Sequence, residues 1–167
     1  MDDILCKLGA PDYATRRKAR KSLMQSNEDV VPILISGLKH ENRQVRKNCA
    51  ELMDHVADER CVAPLAEALE DPIADVRRHA LHSLICDECK SVPLDVDAIG
   101  LVIKRATEDT SIRVRRKATT TLAILPTWDE RTITALKTLT LDEDAEVRRR
   151  AAWSLERCRN RQPVHAA

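Results

Sequence analysis

His79, His82, Cys86 and Cys89 follow one another in the pattern H-x2-H-x3-C-x2-C. Imidazoles and thiolates are the side chains that hold Zn²⁺ tetrahedrally. On a helix turning about 100° per residue, the first three share a narrow stripe, roughly opposite Val76, Ala80 and Leu84. Cys89 can then reach back from the helix end. The order differs from zinc-finger spacings, in which the Cys pair usually precedes the His pair. The competing reading packs Cys86 at a junction and leaves both histidines in solvent. The expectation is therefore no cofactor, with zinc as the alternative. A redox role for Cys86-Asp87-Glu88-Cys89 expects a βαβ context that this sequence lacks.

A second set of chemically active residues is basic. Arg17-Lys18, Lys47-Asn48, Arg78-His79, Arg116-Lys117 and Arg149-Arg150 each follow another arginine, at 16, 46, 77, 115 and 148. All belong to one recurring phrase, such as Val45-Arg46-Lys47-Asn48-Cys49…Met53 or Val76-Arg77-Arg78-His79-Ala80…Leu84. Its copies start at 15, 45, 76, 114 and 147. A period near 30 residues marks a solenoid, whose units bury their apolar faces by stacking on one another.

The elements that position these residues follow from periodicity. Val45, Cys49, Leu52 and Met53 recur at i, i+4, i+7 and i+8, one stripe of an α-helix. Before each such helix lies another amphipathic stretch, as in Val30-Val31-Pro32-Ile33-Leu34 and Val62-Ala63-Pro64-Leu65, with proline in or near the first turn, where a missing N–H is tolerated. Short acidic links, among them Glu70-Asp71-Pro72 and Asp142-Glu143-Asp144, suit helix capping and force antiparallel neighbours. The sequence thus predicts an all-α, right-handed α-solenoid (superhelix) of about five antiparallel helix pairs. Residues 1–158 form a single domain, with units of about 1–26, 27–57, 58–90, 97–126 and 127–158. An insertion lies near Asp87–Val96, and 159–167 form a C-terminal tail.

Composition narrows the function. Lys+Arg 28 against Asp+Glu 27 leaves a net charge of +1, so bulk charge selects no partner. The three glycines, at 9, 37 and 100, form no phosphate loop, and no serine sits on an elbow turn; no catalytic residue is assigned. No apolar run is long enough to span a bilayer. The start Met1-Asp2-Asp3-Ile4 lacks the pattern of a secretory signal, so the expected location is cytoplasmic, with the six cysteines reduced.

The phrase D-x-x-V-R-x-x-A-x-x-x-L, preceded by a Pro-Leu helix, resembles the HEAT repeat, and the short period is similar to the subtype named after phycobilisome lyases. The resemblance covers about residues 2–158. It implies that the arginine after the valine pairs with an acid of a neighbouring link. Arg16, Arg46, Arg77, Arg115 and Arg148 would then form a structural ladder, with Asp12, Asp71, Asp109 and Asp142 among their partners. Thr15 and Asn42 depart from the pattern, which puts the first two rungs in doubt. Relatives that hold two irons carry several His-Glu pairs; here there is His40-Glu41 alone, in a link. DNA-glycosylase relatives use aromatic side chains, and aromatics are 2% of this chain.

The resulting expectation is a non-catalytic scaffold or adaptor. It binds a protein partner, possibly an acidic segment, through a basic strip on the concave second-helix face. The strip comprises Arg17, Lys18, Lys47, Arg78, His79, Arg116, Lys117, Arg149 and Arg150, with Trp153 as a candidate anchor. The bland alternative is a solvated face satisfied by local pairs such as Lys47–Glu51. A nucleic-acid backbone binder and an accessory lyase-type protein handling a cofactor or metal are the other classes.

Overall fold

The computed structural model describes residues 2–86, 89, 93–125 and 129–160. Ten α-helices and one 3₁₀ turn are present among them. They fall into two compact units, 1–96 and 97–167.

The first unit holds α1 (Asp2–Leu8), α2 (Tyr13–Met24), α3 (Val31–Leu38), α4 (Arg43–Val56), the 3₁₀ turn (Glu59–Cys61), α5 (Val62–Ala68) and α6 (Ala74–Ile85). Successive helices pair as α1/α2, α3/α4 and α5/α6. Between pairs, α3 packs on α5, while α2 and α6 flank α4. The buried stripe is the one periodicity requires: Leu5 and Leu8, Leu34 and Leu38, Val45, Cys49 and Met53, then Val76, Ala80 and Leu84. Pro32 occupies the first turn of α3. Near Pro64 the chain departs from a simple helix start. Asp58 accepts from the backbone N–H of Arg60 and nucleates the 3₁₀ turn ahead of α5.

The second unit holds α7 (Ala98–Glu108), α8 (Ile112–Leu122), α9 (Glu130–Leu139) and α10 (Ala145–Asn160). Here α7 pairs with α8 and α9 with α10, while α8 packs on α10 and α7 on α9. Val102, Val114, Ala118, Leu122, Leu136, Val147 and Ala151 close its core.

The second helices are registered by a recurrent polar bond. Ser83, seven residues after Val76, donates to the carbonyl of Ala50 at 2.7 Å. Ser154, seven after Val147, donates to that of Thr119 at 3.3 Å. Both acceptors lie five residues after the valine of the preceding repeat. Buried hydroxyls satisfied in this way hold one helix at a fixed phase against the next. The chain is thus all-α and built from helix pairs of the solenoid type. Of the insertion, residues 93–96 fold back on the first unit: Leu94 is buried, and the Asp95 N–H donates to Glu59. Residues 87, 88 and 90–92, Trp128 and the tail from 161 lie outside the described residues.

Candidate functional site

All five ladder arginines make one contact in common. Each Nη1 donates to the carbonyl six residues back: Arg16 to Ala10 (2.7 Å), Arg46 to His40 (2.9 Å), Arg77 to Asp71 (2.8 Å), Arg115 to Asp109 (3.1 Å) and Arg148 to Asp142 (2.7 Å). This bond ties the link to the first turn of its second helix. Arg46 also grips the carboxylate of Asp71, and Arg115 that of Asp142, each one repeat ahead. The acid therefore occupies the position six before the arginine. Ala10, His40, Asp71, Asp109 and Asp142 fill it in turn. Asp12 lies off that register and caps α2, accepting from the Thr15 N–H at 2.8 Å. Arg16 lacks an acid because position 40 is histidine, whose Nδ1 accepts from the Asn42 N–H. These arginines are structural in what they touch.

The basic residues divide between the units. In the second, carboxylates hold most of them. Arg116 is bidentate on Asp144 (2.8 and 2.6 Å), while Arg149 and Arg150 share Glu146. Arg116 draws Asp144 well below the usual carboxylate range, and Arg149 and Arg150 do the same for Glu146. Lys117 is exposed. In the first unit Arg78 has Asp75 at 3.7 Å and meets the His79 Nε2 at 2.8 Å, and Glu51 lies 3.9 Å from the same nitrogen. Burial first, then the adjacent Arg78, pushes the His79 imidazole down to about 4, so it is neutral at pH 7 and adds no charge to the strip.

Between α2 and α4 lies a groove of about 340 Å³, lined by Tyr13, Arg16, Arg17, Arg20, Gln44, Lys47, Asn48 and Glu51. Arg20 and Glu51 form a two-pronged ion pair (2.7 and 2.8 Å), and the Arg20 hydrogen bond lowers the Glu51 carboxyl. Arg17 and Lys47 extend beside it, and Tyr13 is 71% exposed. Four cations thus face one carboxylate. Lys18 is exposed on α2. On α10, Trp153 is 47% exposed, with the Arg157 guanidinium 5.5 Å from its ring centre; Glu156 and Asn160 complete a shallow surface hollow.

The His/Cys stretch divides as well. His82 Nε2, Cys86 Sγ and Cys89 Sγ converge with a carboxylate oxygen of Asp54, all within 4.8 Å of one another. His79 is not among them. Cys86 ends α6 in an extended conformation (ψ 100°), so the ideal-helix stripe stops before it and the thiol swings toward α4. Asp54 gave no signal in the His/Cys spacing, because it comes from the preceding repeat. Another unforeseen pattern was legible in principle. Asp-Glu-Arg occurs at 58–60 and at 129–131, and each arginine bridges its own aspartate to one at the start of the previous first helix, Asp29 or Asp97.

These features define a class, the all-α helical-repeat proteins whose paired helices stack through arginine-tied links. More particularly, the chain belongs to the HEAT-repeat family, whose model matches residues 2–85 and 89–156. Crystal structures of two engineered proteins are similar to it. One is 19% identical, with a TM-score of 0.51 over 94% of this chain and 78% of the other. The second is 18% identical, with a TM-score of 0.56 over 95% and 80%. At such identities the likeness shows the fold alone. No curated protein matches the sequence. No helix among the described residues is long and apolar enough to cross a membrane.

Proposed function

We propose that this chain is a non-catalytic scaffold that binds an acidic segment of a protein partner along the second-helix face of residues 1–96. The observation that carries this reading is the α2/α4 groove, where Arg17 and Lys47 flank an exposed Tyr13. Glu51 is engaged by Arg20 in a two-pronged ion pair, and one carboxylate does not balance Arg17 and Lys47 as well. A tyrosine beside an excess of cations suits a peptide that carries carboxylates and an apolar side chain. The ring supplies contact area, and the cations supply steering. HEAT repeats commonly serve as protein-interaction scaffolds, which agrees with this role.

The test is fluorescence anisotropy of a labelled acidic peptide, single-stranded RNA and duplex DNA at two salt concentrations. Preferential peptide binding, lost in Arg17→Glu/Lys47→Glu with helicity intact, supports the proposal. Peptide affinity unchanged by the reversals overturns it. Preference for nucleic acid, with a steep salt dependence, would reassign the groove to a phosphate backbone.

A further inference from the structure

We propose that Asp54, His82, Cys86 and Cys89 hold one Zn²⁺ in tetrahedral coordination, pinning the C-terminal end of α6 to α4. The inference rests on geometry and does not depend on what the groove binds. Cys86 Sγ lies 3.1 Å from Cys89 Sγ, Cys89 Sγ 3.9 Å from His82 Nε2, and His82 Nε2 3.2 Å from Asp54 Oδ2. Zn–S bonds of about 2.3 Å and Zn–N or Zn–O bonds of about 2.0–2.1 Å require tetrahedral edges of about 3.8, 3.6 and 3.3 Å respectively. These three separations stand near those edges, and all four donor atoms lie within 4.8 Å of one another. Of the three, the widest adjustment is an opening of the two thiols.

A second observation points to a cation. Asp54 is 9% exposed, and its Oδ1 is buried without a hydrogen-bond partner. A buried carboxylate with one oxygen left unsatisfied is costly, and a cation held at the neighbouring Oδ2 offsets the charge of that carboxylate. The donor set selects the metal. Ca²⁺ and Mg²⁺ want six or more oxygens, iron–sulfur clusters want chiefly thiolates, and a mixed S₂NO tetrahedron suits the borderline Zn²⁺. Two thiolates and a carboxylate leave the loaded site at net −1. Each Zn²⁺ that enters displaces two thiol protons to solvent. Four protein ligands close the shell, which makes the site structural.

The experiment uses tag-free full-length chain, kept reduced, incubated with Zn²⁺ and desalted before elemental analysis, with Co²⁺ loading as the spectroscopic readout. The expected result is about one zinc per chain and a Co²⁺ spectrum with thiolate charge transfer and tetrahedral d–d bands. Cys86→Ser and Cys89→Ser lose the metal, and Asp54→Asn weakens binding more than about tenfold. His79→Gln leaves stoichiometry unchanged. Circular dichroism of each variant separates loss of metal from loss of fold. Reduced, folded wild-type chain that retains no zinc would overturn the proposal. So would an octahedral Co²⁺ spectrum, or full zinc in folded Cys86→Ser.

Discussion

Gly37 of α3 lies so close to Cys49 of α4 that a Cβ built on it collides with the Cys49 Sγ and comes within 3.0 Å of Leu5 Cδ2. The backbone at Gly37 is not left-handed, since no glycine among the described residues has positive φ. What position 37 requires is close approach. Cys49 stands where the other four repeats have alanine, and its thiol fills the space the missing Cβ leaves. Burial pushes that thiol up to about 12, so it behaves as a small hydrophobe.

Gly37→Ala should therefore destabilise the chain by about 1–3 kcal/mol through overpacking. Cys49→Ala should cost on the order of 1 kcal/mol through a small cavity. The double variant should lose less than the two single losses combined, because alanine at 49 clears the space that alanine at 37 needs. Urea denaturation of the four proteins measures the coupling. Strict additivity would show that the two side chains do not share that space.

Arg46→Ala should cost more than Arg16→Ala. Both lose a pair of carbonyl contacts. Removing Arg46 additionally strands Asp71, whose side chain is 7% exposed. Leaving a buried carboxylate unpaired costs about 3 kcal/mol. The comparison of denaturation midpoints checks this, and equal losses would reduce the ladder to its carbonyl contacts.

How far the sequence reveals this molecule depends on whether a feature lies within a repeat or between repeats. Val45, Val76 and Val147, with the alanine or cysteine four residues on, announce their helices because periodicity is local. Arg46 takes its structural role from the resemblance of its phrase to the HEAT repeat, not from its spacing. The acid it grips, Asp71, is one repeat ahead, and the shared register became visible only through the carbonyl six residues back. Asp54 illustrates the same limit: nothing in H-x2-H-x3-C-x2-C indicates that the fourth donor is a carboxylate on α4, or that His79 lies against Arg78 and Glu51 instead. Likewise, the pairing of Arg116 with Asp144 depends on how α10 packs on α8, which charge patterning alone does not give.

Acidification should expose the burial of His79. Its folded value of about 4 lies below the ordinary 6.5, so the unfolded chain binds the extra proton first. Stability contributed by the neutral ring is complete above pH 6.5 and is lost as pH falls from 6.5 toward 4. With solvent screening of this part-buried group allowed for, the loss is on the order of 1–2 kcal/mol. Glu51, held low by Arg20, acts in the same direction, its contribution present above 4.5 and fading below it. Midpoints measured at pH 7.5 and 5.0 should differ less in His79→Gln than in the parent. An identical difference in both would assign the acid sensitivity to other groups.

Charge reversal on α8 should separate paired from unpaired cations. Arg116 and Lys117 are neighbours in sequence with the same charge, yet only Arg116 is bidentate on Asp144. Asp144 in turn accepts from the Val147 N–H at 3.0 Å and so caps the start of α10. Arg116→Glu sets a carboxylate against Asp144, destabilising both the α8–α10 contact and the capped turn. The denaturation midpoint should fall. Lys117→Glu changes net charge by the same amount and meets no such partner, so its midpoint should stay near that of the parent. Thermal melts of the two reversals decide the matter. A matched fall in both would mean that Arg116 acts through general charge balance, and a matched absence of effect would mean that the Asp144 pair contributes nothing to the stability of residues 97–160.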